Sequence, residues 1–451
     1  MNVKAMAVFV LLVVCNCANA QETAAEKKTG FLDMGVTLTE QSGQDYNDSS
    51  NPLNSGNYRK YAAGKTYYIN RMPYTYRLDG MPDPVFGHGF ISTSFRKWYE
   101  MCKQLELNAG LHLDISYTIW GQWASKRVSG VSGKATPPGL TTGRLDVQGY
   151  WDLPQNNPLG NSRVNFRMRQ TTNYGWSDGT TLDTTIGDVS GVNGGYDPSI
   201  AMMVLSYGQE LFDGAVDVEV GKVHPGMYFF ASPVADDETS QFINNVLDGS
   251  PCQVINNYAP GAIIRINELF GRKDMYLYAA AIDMADTSTT CAGGIGRGKW
   301  GVVTEYGWTP KFEDLQGHYR FDWWYADNTH FGFNSGQGAG LNFDQEIAHN
   351  CILFLTYAYN ANDSYSQEHQ LGYGVGILEP FKRRGEMFGV GGGWAKATEN
   401  GADEQLLETF YRFQLTDSIQ FSPDLQMIFN PAYAPDTSVC FVLGFRVKVQ
   451  F

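Results

Sequence analysis

Ser438–Phe451, SVCFVLGFRVKVQF, alternates without a slip: Val439, Phe441, Leu443, Phe445, Val447, Val449 and Phe451 are apolar. Between them stand Cys440, Val442, Gly444, Arg446, Lys448 and Gln450, mostly small or polar. A period of two held over such a length is a strand with two differently solvated faces. In water the apolar face would be an uncovered sheet, whereas in a bilayer it is the lipid side of a wall whose polar side meets a wet interior. The pattern predicts Arg446 and Lys448 in the lumen, and Phe441, Phe445 and Val449 against lipid.

The same grammar recurs upstream. Leu105, Leu107, Ala109, Leu111, Leu113, Ile115, Tyr117 and Ile119 form one face, and Glu106, His112 and Asp114 belong to the other. Further faces run through Val164–Met168, Val216–Val220, Trp300–Trp308, Phe321–Tyr325, Cys351–Tyr359, Leu371–Ile377, Phe388–Trp394, Leu407–Leu415 and Leu425–Phe429. Gly, Asn, Asp, Pro and Ser crowd the sequence between them, which is turn chemistry. These stretches exceed the ordinary strand and suit a tilted wall that crosses an apolar layer. The expected fold is all-β, a transmembrane antiparallel barrel of sixteen strands with eighteen as the alternative, wide enough for an aqueous channel.

Composition agrees. Charged residues make up 18% of the chain, below the usual share of about 25%, while aromatics reach 14% and Gly numbers 50. A net charge of -14 argues against a nucleic-acid partner. Beyond the first residues, no uninterrupted apolar run has the length of a membrane helix.

Residues 1–20 read as a signal peptide: Lys4, an apolar stretch from Ala5 to Val14, and Ala18-Asn19-Ala20 at the exit. Residues 21–104 form an irregular N-terminal segment with first strands or a lumen insertion as candidates, including the proline-broken residues 67–89. Residues 105–451 are the main part of the barrel. No strong helix is expected, although Ser240–Leu247 has spacing for two turns that narrow a pore. Cys252 and Cys291 lie in turn-rich sequence and are candidates for a disulfide, while Cys351 and Cys440 sit in strand patterns as packing residues. No Cys or His spacing suggests a metal, and no cofactor is expected.

The chain carries no GxSxG or HExxH, so no enzyme is expected. An outer-membrane barrel enzyme is the distant alternative, for which Asp114 would orient His112. The polar face is more informative. Arg163, Arg167 and Arg169 share one side of a strand, and guanidinium groups with aromatic rings suit sugar hydroxyls and ring faces.

Two blocks carry a resemblance. Val218–Asn245, VEVGKVHPGMYFFASPVADDETSQFINN, resembles the central signature of the carbohydrate-selective porin family, and Glu408–Pro431, ETFYRFQLTDSIQFSPDLQMIFNP, resembles its closing hairpins. The resemblance implies a sixteen-stranded outer-membrane barrel, trimeric, that admits monosaccharides and similar small polar solutes by passive diffusion through an inward-folded constriction. A non-specific or anion-preferring porin is the nearer alternative. Carried onto this sequence, the motifs place Glu219, Lys222, Glu408, Arg412 and Asp424 along the solute path. Lys222 stands where relatives carry arginine, which keeps the charge and loses the planar fork. The resemblance also makes Phe451 the aromatic read by barrel insertion machinery.

Overall fold

The computed structural model describes residues 96–451 apart from 129–137, 154–159, 175–181, 193–198, 249–254, 256–257, 287–296, 314, 328–332, 349, 384, 417 and 451. Residues 67–89, Cys252, Cys291 and Phe451 fall outside the described residues, as does most of the proposed signal and N-terminal segment.

Sixteen long strands close a barrel: β1 Leu111–Ala124, β2 Gly139–Asp152, β3 Ser162–Asn173, β4 Ser199–Leu211, β5 Val216–Val223, β6 Ala259–Ile266, β7 Met275–Asp283 and β8 Trp300–Trp308. After a two-residue strand at Lys311–Phe312 come β9 Leu315–Ala326, β10 Gly336–Ala348, β11 Cys351–Asn360, β12 Gln367–Leu378, β13 Met387–Ala397, β14 Asp403–Gln414, β15 Ile419–Phe429 and β16 Val439–Gln450. Each long strand pairs antiparallel with its sequence neighbours, and β1 pairs with β16 from Ser116↔Gln450 to Ala124↔Val442. Closure satisfies every edge, which a lipid-embedded sheet requires.

β16 behaves as its alternation predicts. Phe441 and Leu443 stay 43% and 59% exposed on the outer face, while Arg446 and Lys448 are buried inside. Rings gather near both ends of the outer wall: Trp308 lies 5.6 Å from Tyr319 at one end, and His369 lies 5.9 Å from Trp394 at the other. Such belts belong at the two headgroup levels. One end carries the short turns, among them Phe212–Ala215 and Asn267–Asp274. The opposite end carries the long connections, including 174–198 and 224–258. In membrane barrels the short turns face the periplasm.

The strand expected from Leu105 begins instead at Leu111. Arg96–Ala109 is a helix, α1, and Gly110 breaks it at a positive φ of 68°. Leu105, Leu107 and Ala109 alternate, but Trp98, Met101, Cys102 and Leu105 also recur at helical spacing, and Cys102 is fully buried. The expectation of no strong helix is corrected by the same element. Ser240–Leu247 contributes one helical turn, α2, at Asn245–Asp248 rather than two.

The connection between β5 and β6 turns inward. Its Phe229, Phe230, Val234, Phe242, Val246 and Leu247 are at most 2% exposed. Below it, β12 and β13 present glycine to the lumen. A Cβ on Gly376 would stand 2.6 Å from Val234 Cβ, and one on Gly393 would stand 2.7 Å from Val246 Cγ1. The absent side chains make room for a second layer inside the barrel. Each apolar side chain buried there contributes about 1.5–3 kcal/mol, against about 1–2 kcal/mol for fixing one residue of backbone. Packing therefore only roughly offsets the ordering of the loop, and polar anchors decide its position.

Candidate functional site

Those anchors are carboxylates and amides on the inner wall. Glu408 on β14 accepts two successive loop N–H groups, from Ile243 at 2.6 Å and Asn244 at 2.9 Å. Glu305 on β8 accepts Phe230 N–H at 2.7 Å, and the Asn342 amide on β10 donates to the Phe230 carbonyl at 2.7 Å. Asp344 accepts from the Ser232 hydroxyl at 2.6 Å. Glu404, two pleat repeats from Glu408 on the same strand, does the same for the β3–β4 connection, accepting Val189 and Ser190 N–H groups at 3.0 Å each. A carboxylate facing two consecutive N–H groups is a charge-assisted, two-point hold.

The tip of the inward loop, Asp236-Asp237-Glu238-Thr239-Ser240, lies against a basic wall. Arg144 on β2 pairs with Asp146 at 2.6 Å and with the Glu238 carboxylate. Arg167 and Arg169 on β3 both donate through Nε to Asp146 Oδ1, at 3.2 and 3.0 Å. Arg446 on β16 donates to the Glu238 carbonyl at 2.8 Å, and Trp120 on β1 donates to the same oxygen at 3.3 Å. Lys448 donates to Thr239 Oγ1 at 2.7 Å and stands 3.7 Å from Asp237. Arg412 donates to the Ser240 carbonyl at 3.1 Å. Five cationic groups, Arg144, Arg167, Arg169, Arg446 and Lys448, thus surround Asp146, Asp237 and Glu238.

Electrostatics at the tip follow from this. Burial works to raise the Glu238 carboxyl, but the Arg144 guanidinium, with Arg169 behind it, outweighs burial and holds it down to about 2. Burial is likewise overridden at Asp237, where Lys448 and the Ser240 and Thr239 hydroxyls keep the carboxyl well below its ordinary range. Asp236 moves the opposite way: burial, and then the charge on Asp237, push it well above. Because Glu238 is depressed on folding, its stabilising contribution is complete above the ordinary value of 4.5 and is lost as pH falls toward 2. In an Asp236→Asn variant, which removes the tip carboxyl raised by burial, ion selectivity is expected to stay flat from neutral pH down to about 4.5 and to change only below that, as reversal potentials across a pH series will show.

The residues singled out in the sequence divide into groups. Arg167 and Arg169 join the tip cluster, whereas Arg163 sits near the short-turn end, 3.2 Å from Asp152 and 4.8 Å above the Tyr150 ring. Glu408 and Arg412 hold loop backbone, and Asp424 on β15 lies within hydrogen-bond reach of Glu408. Glu219 holds the root of the loop through the Tyr228 hydroxyl and takes a bond from Ser206 at 2.5 Å. Lys222 is 6% exposed on β5, beside a left-handed Gly221. His112 faces Glu106 at 3.4 Å and stacks on Tyr150, while Asp114 accepts from Gln450 at 3.0 Å. Among the described residues no group of three His, Cys, Asp or Glu side chains is arranged to hold a metal.

Sequence reasoning passed over Arg144 and Asp146, whose strand carries Thr142, Arg144, Asp146 and Gln148 on one face but Gly143 and Gly149 on the other. Those glycines blunt the apolar half of the alternation. Asp237 and Glu238 were passed over as well, although they belong to an acidic run, Asp236-Asp237-Glu238, inside an otherwise apolar stretch.

The sequence profile of a family described as carbohydrate-selective porin, OprB family, matches residues 138–451. No curated protein matches the chain. Among solved structures, OprB of Pseudomonas putida at high pH is 15% identical with a TM-score of 0.65, covering 82% of this chain and 99% of its own. Its low-pH form is 17% identical with a TM-score of 0.51, covering 79% and 97%.

Proposed function

Since the chain belongs to the carbohydrate-selective porin, OprB family, we propose that its lumen passes monosaccharides and solutes of similar size, with Arg167 as the group that meets them. The protein is a passive-diffusion porin of the outer membrane and admits small polar solutes. The observation that carries the finer reading is the state of Arg167. Among the described residues its one polar contact runs from Nε to Asp146, and its side chain keeps 16% exposure in a cluster where Arg144, Arg169 and Lys448 keep 9% or less. Its outer nitrogens are left to present two parallel donors to vicinal hydroxyls. Neutral hydroxyls bind such a fork weakly, as a solute that has to leave again requires.

Planar-bilayer recording tests this. Added glucose is expected to lower the conductance of the native pore, Arg167→Met to abolish that response, and Arg167→Lys to retain part of it. A native pore indifferent to glucose, with unselective liposome swelling, removes the sugar reading. The excess of cations around the tip favours a second reading, an anion-preferring pore, for which the reversal potential in a salt gradient is the discriminating measurement.

The remaining assignments extend the same proposal. Residues 1–20 direct export, and residues 21–104 with the start of α1 precede the wall, which takes up the rest of 105–451. Glu219, Glu408, Arg412 and Asp424 shape the solute path by holding the loop, and Arg163, Arg169 and Lys222 add charge along it. The family resemblance supports a trimer and insertion machinery that reads Phe451. Deleting Phe451 is expected to lower the amount of assembled, heat-modifiable barrel several-fold while leaving the selectivity of the assembled fraction unchanged. Equal assembly on gels would contradict it.

A further inference from the structure

Three turns at the short-turn end repeat one order of residues: Glu210-Leu211-Phe212, Glu268-Leu269-Phe270 and Glu379-Pro380-Phe381. In each, the phenylalanine adopts a left-handed backbone, with φ of 53°, 56° and 57°. A bulky side chain is disfavoured there, and in two of the turns a glycine follows within two residues that would take the conformation freely. The rings are also 77%, 84% and 86% exposed, more than any large apolar residue on the lipid-facing wall, where Leu443 reaches 59%. At the opposite end, Tyr174 and Tyr433 in the connections reach 37%.

Turns of a soluble rim do not repeat an exposed, backbone-strained phenylalanine, and strain retained at a specific position points to a use for it. The position says which use. Two of the turns meet outer-wall rings at this end: Trp308, which clusters with Phe312 and Tyr319 within 6.5 Å, donates to Asp274 of the Phe270 turn at 3.2 Å, and the Tyr411 hydroxyl donates to Glu386 of the Phe381 turn at 2.7 Å. Among the described cations near the tips, Arg272 pairs with Asp274 at 2.6 Å, Lys273 with Glu268 at 3.5 Å, and Arg383 with Glu386 at 2.7 Å. Each tip thus offers an exposed apolar ring, and the described cations beside it are held in ion pairs. An apolar partner that extends around the rim, continuous with the belt, is the bilayer itself.

We propose that Phe212, Phe270 and Phe381 are lipid anchors that sink into the phospholipid leaflet on the short-turn side and fix the height of the barrel in the membrane. The inference is independent of which solute the pore carries.

Replacing each phenylalanine in turn by p-benzoylphenylalanine in the full-length protein, in cells grown with labelled phosphate, tests it on irradiation. Heat-modifiable mobility first selects assembled barrel. Phospholipid label is then expected at 212, 270 and 381, several-fold above the same probe at Asn362 in an opposite-end turn and comparable to the probe at Phe441 on the wall. A discrete protein adduct at these positions, an intramolecular cross-link, or label no higher than at Asn362 overturns the proposal.

Discussion

Replacing Glu408 with alanine is expected to release the middle of the inward loop, raising mean single-channel conductance and spreading it over several levels. The carboxylate is the acceptor for two adjacent buried N–H groups, at 2.6 and 2.9 Å. Removing it leaves both unsatisfied, at about 1–3 kcal/mol each. That exceeds the contribution of any one apolar contact holding Val246 or Leu247 on the glycine seat, so the segment 242–247 is the part that moves. Glu408→Gln is the control. It keeps one acceptor oxygen, and its amide gives Asp424 a donor, so its conductance should stay close to native. Indistinguishable conductance in the alanine variant would show that the stitch is redundant with Glu305 and Asn342.

The double change Asp237→Asn with Glu238→Gln is expected to turn the pore strongly toward anions. It removes two carboxylates that titrate far below neutral pH from a cluster with five cations, leaving Asp146 as the acid paired with Arg144, Arg167 and Arg169. Breaking a buried ion pair from one side costs about 3–5 kcal/mol where nothing replaces the partner. Here Arg144 keeps Asp146 at 2.6 Å and Lys448 keeps the Thr239 hydroxyl at 2.7 Å, so assembly should survive. The readout is the reversal potential in a potassium chloride gradient, moving toward the chloride value. An unmoved potential would mean that ions bypass the tip.

How much of this was legible in the sequence depends on what lies behind each strand. β14, β15 and β16 have a lumen face of Glu408, Arg412, Asp424, Gln426, Arg446 and Lys448, so polar and apolar residues alternate and the pattern is plain. β7, Met275–Asp283, escapes the same search because Tyr276, Tyr278, Ala280 and Ile282 on its inner face are covered by Phe229 and its neighbours. β10 escapes because Gly338 and Gly340 face inward, the latter beneath Phe230. Where the loop sits, the lumen wall becomes apolar or glycine and the period of two fades, surviving in β12 as Leu371, Tyr373, Val375 and Ile377 against Gly372, Gly374 and Gly376. The arginines of β3 were visible for the same reason that β16 was. Their acidic partners were not, because a loop tip far away in sequence reaches them only after the chain has folded inward.

The tip of that loop also crosses the place where the barrel shuts. The Glu238 carbonyl takes a proton donor from Trp120 on the first strand and another from Arg446 on the last, while its carboxylate takes Arg144 on the second. Although the loop is synthesised midway along the chain, its seat is incomplete until the two ends of the sheet have met. Pairing between β1 and β16 spans nearly the whole described chain, and contacts so remote in sequence form late. The loop is thus a clasp fastened after the ring is joined, and the channel acquires its working bore as the last event of its own assembly.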